Sequence, residues 1–403
     1  MRVFPIATFL PDQELISRIS CTSQAPDLAA LAADPESYLR VVKPQLIEPG
    51  LRQGSDEFLE TSVLNFGALI RRNSLIPQKE ACWFYLQETP EGLQFGGWVL
   101  GISVLDYKEN RIKKHENTIR DKESRLAKHI SLLNSVAEPV LMAAMLGPML
   151  ENLETVTRRR MPERQFSDVL HRQHTLWKID AEEEIALIKS EFGSMSALYI
   201  ADGHHRSAAT ALCIRASGYN PESNGIMALV MDKKNLSIKS FHRIIQAPAP
   251  VWKLEETCRM KGWRITRTDG IPDTIHAGCI AALSSEGNFL LEPGLAVTTG
   301  SYAAKLDVAR LECELFPDLF GIENSRIDSR ISFLRGDTPR ENLRKMLDEG
   351  EAGWIFMVAA NSMEDIEQVA DAGEVMPPKS TWVEPKLMAG MLIMRFNEQG
   401  ISS

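Results

Sequence analysis

The chain has no long apolar run. Its longest nearly apolar stretch, Val140 to Leu150, covers 11 residues and is broken by Gly147 and Pro148, against the roughly 20 that cross a bilayer, so no transmembrane helix is expected. Arg2, Pro5, Asp12 and Glu14 interrupt the first residues, which leaves no signal-peptide core and points to the cytoplasm. Cysteine is sparse and scattered: Cys21, Cys82, Cys213, Cys258, Cys279 and Cys313 form no C-x-x-C pair. That excludes a thiolate zinc site of this spacing and fits reduced, mostly buried thiols better than a disulfide framework. Positive charge is in deficit, with 45 Lys plus Arg against 54 Asp plus Glu and a formal net charge of -9. Bulk nucleic-acid binding is disfavoured, because phosphate neutralisation needs a local cationic excess. There is no G-x-x-x-x-G-K-[ST] loop, no kinase Gly-rich loop, no internal repeat and no long low-complexity tract, so the familiar nucleotide folds and repeat architectures are not signalled.

What is present is ordinary globular composition over 403 residues, with 44% hydrophobic and 25% charged positions, enough for two or three domains with sizeable cores. The segment before residue 50 is turn-rich, with Tyr38 to Val42 reading as a short strand. Phe58, Leu59, Val63, Phe66 and Ile70 recur at helical spacing. Cys82 to Leu86 and Trp98 to Leu105 flank a Thr89-Pro90-Glu91-Gly92 turn and read as a β-hairpin. From Leu126 to Glu154 the apolar positions predict helical structure with breaks at Pro139 and Pro148. Leu198 to Ala201 reads as a strand running into Asp202-Gly203-His204-His205-Arg206, and Ser207 to Ala216 as an Ala-rich helix with Leu212 inward. Ile226 to Met231 and Phe241 to Ile245 are further strands. Ala247-Pro248-Ala249-Pro250 reads as a linker into a last segment containing Trp354 to Val358 and Met391 to Met394. The predicted class is α+β (mixed α/β), divided into an N-terminal α/β segment (1–90), a central domain (91–246) and a C-terminal α/β domain (251–403).

Three constellations carry chemistry. At Asp202 to Arg206, a strand that turns through glycine into a helix gathers unpaired amides and the positive helix end at one point, which suits an anion. Arg206 can fork two donors onto phosphate oxygens, His204 and His205 add donors, and Asp202 can cap, hold a hydroxyl or help position a metal. Adjacent histidines at a helix start diverge by about 100°, so no metal site is assigned to them. His171 and His174, spaced by three, are read as an ordinary strand context beside Trp177 and Ile179. The second constellation is Lys114-His115-Glu116-Asn117-Thr118 with Lys122 and Arg125. Such a cluster is by default a solvated helix face, yet a carboxylate kept ionised among cations can accept a proton from a hydroxyl. The third, Met376-Pro377-Pro378-Lys379-Ser380-Thr381-Trp382 with Glu384-Pro385-Lys386, is either a plain surface loop or a stiff cationic loop that closes on an anion.

These three segments, in their order along the chain, resemble the hallmark segments of the bacterial domain-of-unknown-function 1015 family, with Tyr38 to Pro44 also similar. The resemblance covers nearly the whole chain. Asp-Gly-His-His-Arg in turn resembles the phosphate-binding box of the ParB/sulfiredoxin superfamily, whose free serine kinases carry Asp-Gly-His-Thr-Arg; His205 departs from that Thr. The resemblance implies a ParB/sulfiredoxin-like central domain, with Asp202, Gly203, His204, His205 and Arg206 on nucleotide phosphates. It implies Glu116 as base toward a substrate hydroxyl, with His115 and Asp202 as further catalytic residues. Lys114, Thr118, Lys122, Arg125, Lys379, Ser380, Thr381 and Lys386 are the expected substrate or phosphate contacts. The implied activity is phosphoryl transfer between ATP or ADP and L-serine or phosphoserine, with Mg²⁺ bridging phosphates although no carboxylate cage for it is seen in the sequence. Hydrolysis of phosphoserine, a ParB-like nucleotide switch and a non-catalytic metabolite sensor are the alternatives. No membrane or nucleic-acid partner is expected.

Overall fold

The computed structural model describes residues 1–294 and 301–397. Its residues group into two compact units, one made of 1–113, 117–236 and the C-terminal segment from Pro385, the other of 114–116 and 237–384. The fold is mixed α/β in both. Among the described residues no helix is long and apolar enough to cross a membrane.

In the first unit a large mixed sheet runs, edge to edge along its main path, through Ile112–Lys113, Leu198–Asp202, Val140–Ala144, Gly225–Asp232, Gln94–Ser103, Leu75–Glu88, Ile6–Pro11, Ile393–Arg395 and Ser135–Val136. The predicted hairpin is there, with Trp83 opposite Val99 and Phe84 opposite Trp98. The expected division between residues 90 and 91 falls in the turn that joins these two paired strands. The second strand stops at Ser103, whose hydroxyl caps the helix Val104–Lys108 by accepting from the Leu105 amide at 3.2 Å. Phe58 to Ile70 lie on the helix Asp56–Arg71, started by the Ser55 cap.

Two local readings are corrected. Val140 to Ala144 is a strand, not part of a helix; all five residues are buried, and it pairs parallel with Ala228 to Asp232 and antiparallel with Tyr199 to Asp202. A central strand covered on both faces shows no alternation, so its apolar run is indistinguishable from a buried helix by period alone. Tyr38 to Val42 is not a strand: Leu39–Val42 is one helical turn, and the Val41 and Val42 amides both reach the Tyr38 carbonyl, at 2.9 and 3.2 Å. Burial of Tyr38, Leu39 and Val41 against Phe66 and Leu69 overrides the β preference of two valines.

In the second unit an antiparallel sheet takes the order Arg264–Thr268, Gly287–Glu292, Ile280–Ser284, Trp354–Val358, Phe241–Ile245, Ile331–Arg335. Leu254, Leu315 and Phe316 pack with Ile245 and Phe356 in one core cluster, while Leu343 and Leu347 of the helix Arg340–Asp348 pack with Ile244 and Ile355 in another. Adjacent strand residues thus feed opposite layers, as the pleat requires. All six cysteines are free; Cys21, Cys82, Cys213 and Cys258 are buried, Cys279 is half-buried and Cys313 exposed.

The ladder between Gly225–Asp232 and Gln94–Ser103 depends on close backbone approach at Gly225, where a Cβ would collide with the Ile102 carbonyl and lie 3.2 Å from the Phe4 ring. Gly225→Ala is expected to cost about 1–3 kcal/mol as an overpacking change, read as a lower urea midpoint with an unchanged slope.

Candidate functional site

The junction at residue 202 is built from three local facts. Leu198 and Ile200 are fully buried and anchor the strand, so its last residue, Asp202, emerges half-exposed at the strand end. Gly203 then turns the chain with φ of +102°, a left-handed conformation that glycine adopts without penalty. The helix His204–Ser217 starts at the next residue, earlier than its Ala-rich part suggests, so His204, His205 and Arg206 form its first turn. No side chain caps this helix, which leaves the first-turn amides and the positive helix end for a ligand.

Arg206 folds back over the glycine. Its Nη2 donates to Asp202 Oδ2 at 2.8 Å, its Nη1 pairs with Glu138, and a Cβ at position 203 would sit 2.9 Å from its Nε and Nη2. Lys386 completes the cluster from far along the chain, donating to Asp202 Oδ1 at 3.1 Å. The guanidinium is therefore aimed by two carboxylates before any ligand arrives. His204 is buried at 4% exposure, whereas His205 and Arg206 border a cavity of about 480 Å³.

Lys122, Arg125 and His129 line the same cavity. They stand on the helix Arg120–Leu133 at spacings of three and four, which put them on one face. Phe58, Leu59, Leu126, Ile130, Leu133 and Val136 supply its apolar surface, and Tyr38, Gln53, Glu138 and Ala389 complete much of the rest. Burial pushes the His129 pKa below its usual value, against a weaker pull from the Val41 carbonyl 3.3 Å from its Nε2. A neutral His129 holding that contact carries its proton on Nε2, so Nδ1 is an acceptor. Cations beside the Gly203 turn and apolar surface elsewhere make a cavity of a size and character suited to a small organic anion.

The remaining motif residues gather in the second unit. The Met376 amide donates to the His115 carbonyl at 2.9 Å, so the segment 114–116 and the loop starting at Met376, read separately in the sequence, are neighbours. His115 is buried and Glu116 exposed. The loop is stiff, as its prolines imply: Arg243 Nη2 donates to the Pro378 carbonyl at 3.3 Å, Asn361 Nδ2 to the Ser380 carbonyl at 3.0 Å, and Ser380 Oγ to the Pro377 carbonyl at 2.7 Å. Ser380 is buried and serves the loop's own turn; Lys379 is exposed with its ammonium over the Phe241 ring. Thr381 is half-buried, and Thr118 belongs to the first unit. Lys114 and Glu116 lie outside regular structure, not on the helix that the charge pattern suggested, because the helix begins at Arg120.

Glu138, Tyr38 and His129 were not singled out as site residues in the sequence. His129 had a readable signal in its helical spacing from Lys122 and Arg125. Glu138 had none, since it meets Arg206 only through folding. Among the described residues no group of three or more His, Cys, Asp or Glu is placed to hold a metal ion.

The fold and this site define a mixed α/β protein with an arginine-anchored glycine turn at a helix start. The family model described as protein of unknown function DUF1015 matches residues 20–286, more than half of the chain, and the chain belongs to that family. No curated protein matches. Among solved structures it is similar to a mutant free serine kinase in complex with AMP, at 13% identity, with 72% of this chain and 90% of that one covered and a TM-score of 0.38. It is also similar to a conserved hypothetical protein from Pyrococcus furiosus, at 13% identity, 72% and 94% coverage and a TM-score of 0.35. A third is SbnI with a C-terminal truncation from Staphylococcus aureus, at 14% identity, 71% and 82% coverage and a TM-score of 0.35.

Gly203→Ala is expected to push Arg206 off its two carboxylates and strain the turn, lowering stability by about 1–2 kcal/mol. Urea denaturation measures this cost, and a crystal structure of the variant would show the displaced guanidinium.

Proposed function

We propose that this protein is a phosphotransferase of ParB/sulfiredoxin-like design, transferring a phosphoryl group between ATP or ADP and a small hydroxyl substrate, with free L-serine the foremost candidate. One observation carries the reading: the Arg206 guanidinium, pre-aimed across Gly203 at an uncapped helix start, borders a cavity lined by Lys122 and Arg125. Phosphoryl transfer asks a protein mainly for positioning and for positive charge around the migrating group. The helix amides and Arg206 supply fixed donors for nucleotide phosphates, while Lys122 and Arg125 add mobile charge.

Glu116 is the proposed base for the substrate hydroxyl, on its match in chain order and chemistry to the base of the free serine kinases, with His115 beside it. A divalent ion suits the charge on the phosphates. Asp202 and Glu138, the carboxylates at the box, already face Arg206 or Lys386, so Mg²⁺ would be carried chiefly by the nucleotide's own oxygens.

The test is to incubate the protein with Mg²⁺, ATP or ADP and a panel of amino acids and their phosphates, following transfer by phosphorus NMR. Phosphoserine formed or consumed is the expected result. Glu116→Gln should lower turnover by ~10²–10⁴-fold with nucleotide affinity retained. Turnover unchanged in that variant removes Glu116 as base. Arg206→Ala should weaken nucleotide binding by ~10- to 100-fold in calorimetry, the loss of charge-assisted phosphate contacts. Nucleotide affinity that depends on Arg206 without any transfer would make the protein a nucleotide switch instead, and no nucleotide affinity at all would sink the phosphate role.

A further inference from the structure

The second unit contains a cavity of about 360 Å³ that the phosphotransferase reading does not use. His242, the second residue of the strand Phe241–Ile245, lies on the same face of that strand as Ile244, the layer covered by the helix Arg340–Asp348. It lines the cavity, is only 2% exposed, and among the described residues neither of its ring nitrogens has a hydrogen-bond partner. Burial first, then the charge of Arg243, lower its pKa to about 4, against weaker pulls from the Gly336 backbone and Asp337. The ring is therefore neutral at ordinary pH, with one N–H donor and one acceptor, neither of which completes a hydrogen bond although the Gly336 backbone lies near. A buried donor left in this state is costly, and such groups in folded proteins are met by water or a ligand.

The helix Arg340–Asp348 begins at the same place. Thr338, Pro339 and Arg340 all line the cavity, and its N-cap residue, Pro339, has no side chain able to cap, so the first-turn amides point their positive end there. Arg340 is fixed at this rim: its Nε donates to the Pro272 carbonyl at 3.0 Å, Nη2 to the Asp273 carbonyl, and Nη1 pairs with the Asp273 carboxylate at 3.0 Å. The two carboxylates at the cavity are both answered by cations, Asp273 by Arg340 and Asp337 by Lys239 at 2.6 Å and Arg335 at 2.5 Å. What remains unanswered is a set of donors, which selects an anion over a cation.

We propose that this cavity binds a small oxyanion, a carboxylate or phosphate group, between the His242 imidazole and the amino end of the helix Arg340–Asp348. The volume admits a small metabolite carrying such a group. The site lies within one unit and stands whether or not the chain transfers phosphate.

The test uses the full chain carrying Arg206→Ala, so that the loop at Gly203 does not compete for phosphate, with ¹⁵N-labelled histidine. The His242 ring resonances, assigned by their loss in His242→Gln, are followed during titration with inorganic phosphate and, separately, with acetate. Saturable movement with a Kd below ~10 mM is expected in at least one arm, and the stronger arm identifies phosphate or carboxylate as the natural group. Arg340→Gln, which leaves the Asp273 carboxylate unanswered at the rim, should weaken anion binding by ~10-fold or more. No movement with either anion overturns the proposal, as does binding undiminished in a folded Arg340→Gln chain. Should that variant fail to fold, calorimetry on His242→Gln decides: affinity equal to that of the parent overturns the site, and its loss supports it.

Discussion

The carboxylate of Asp202 is the point on which the candidate site depends. It ends the strand Leu198–Asp202, pairs with Arg206 one helical turn later, and receives Lys386 from 184 positions along the chain. Without that carboxylate Arg206 would lose one of the two carboxylates that orient it, and Lys386 would lose its ion pair at the site. The turn through Gly203 makes this possible, because a side chain at that position would occupy the space where the guanidinium lies. Helix starts commonly receive anions. Here the arginine is held in place before any ligand binds, which lowers the ordering cost of binding.

The motif residues divide by unit. Asp202 to Arg206, Lys122, Arg125 and Lys386 belong to the first, and Lys114 to Glu116 with Lys379 to Thr381 belong to the second. Each group has its own internal logic. In the first, the ion-paired series Glu138, Arg206, Asp202 and Lys386 meets, through Glu138 and Arg206, a cavity with apolar walls. In the second, a proline-stiffened loop is tied by the buried Arg243, itself paired with Glu312 at 2.9 Å, and by the Met376 amide to the His115 backbone. Buried arginine in such a place is costly unless its donors are all used, and Arg243 uses its own on Glu312, Phe241 and Pro378.

Strands with an obvious signature were legible. The aromatic and branched runs Cys82 to Leu86 and Trp98 to Leu105 announced the hairpin, and Leu198 to Ala201 announced the strand before the box, because apolar β-formers bounded by turn residues have few other uses. Val140 to Ala144 was misread, since a strand buried on both faces carries no period of two. Tyr38 to Val42 was misread because two valines favour a strand only where a neighbouring strand can take their amides, and here the Tyr38 carbonyl takes them instead. The pairing of Leu75–Glu88 with Gln94–Ser103 inside one sheet also shows why a boundary placed in a turn is fragile: a polar turn marks a hairpin as readily as a linker.

By itself the sequence determined the chemistry available: a glycine between an acid and two histidines with an arginine at a strand-to-helix junction, cations at helical spacing, and a proline-stiffened loop. Those follow from local rules of turn, cap and period, which act over a few residues. Only the tertiary structure decided that Glu138 and Lys386 meet the box, that His115 sits against Met376, and that His242 is buried without a partner. These are contacts across tens to hundreds of residues, set by strand order and helix packing. No local pattern encodes them, because each depends on how distant segments pack within one unit.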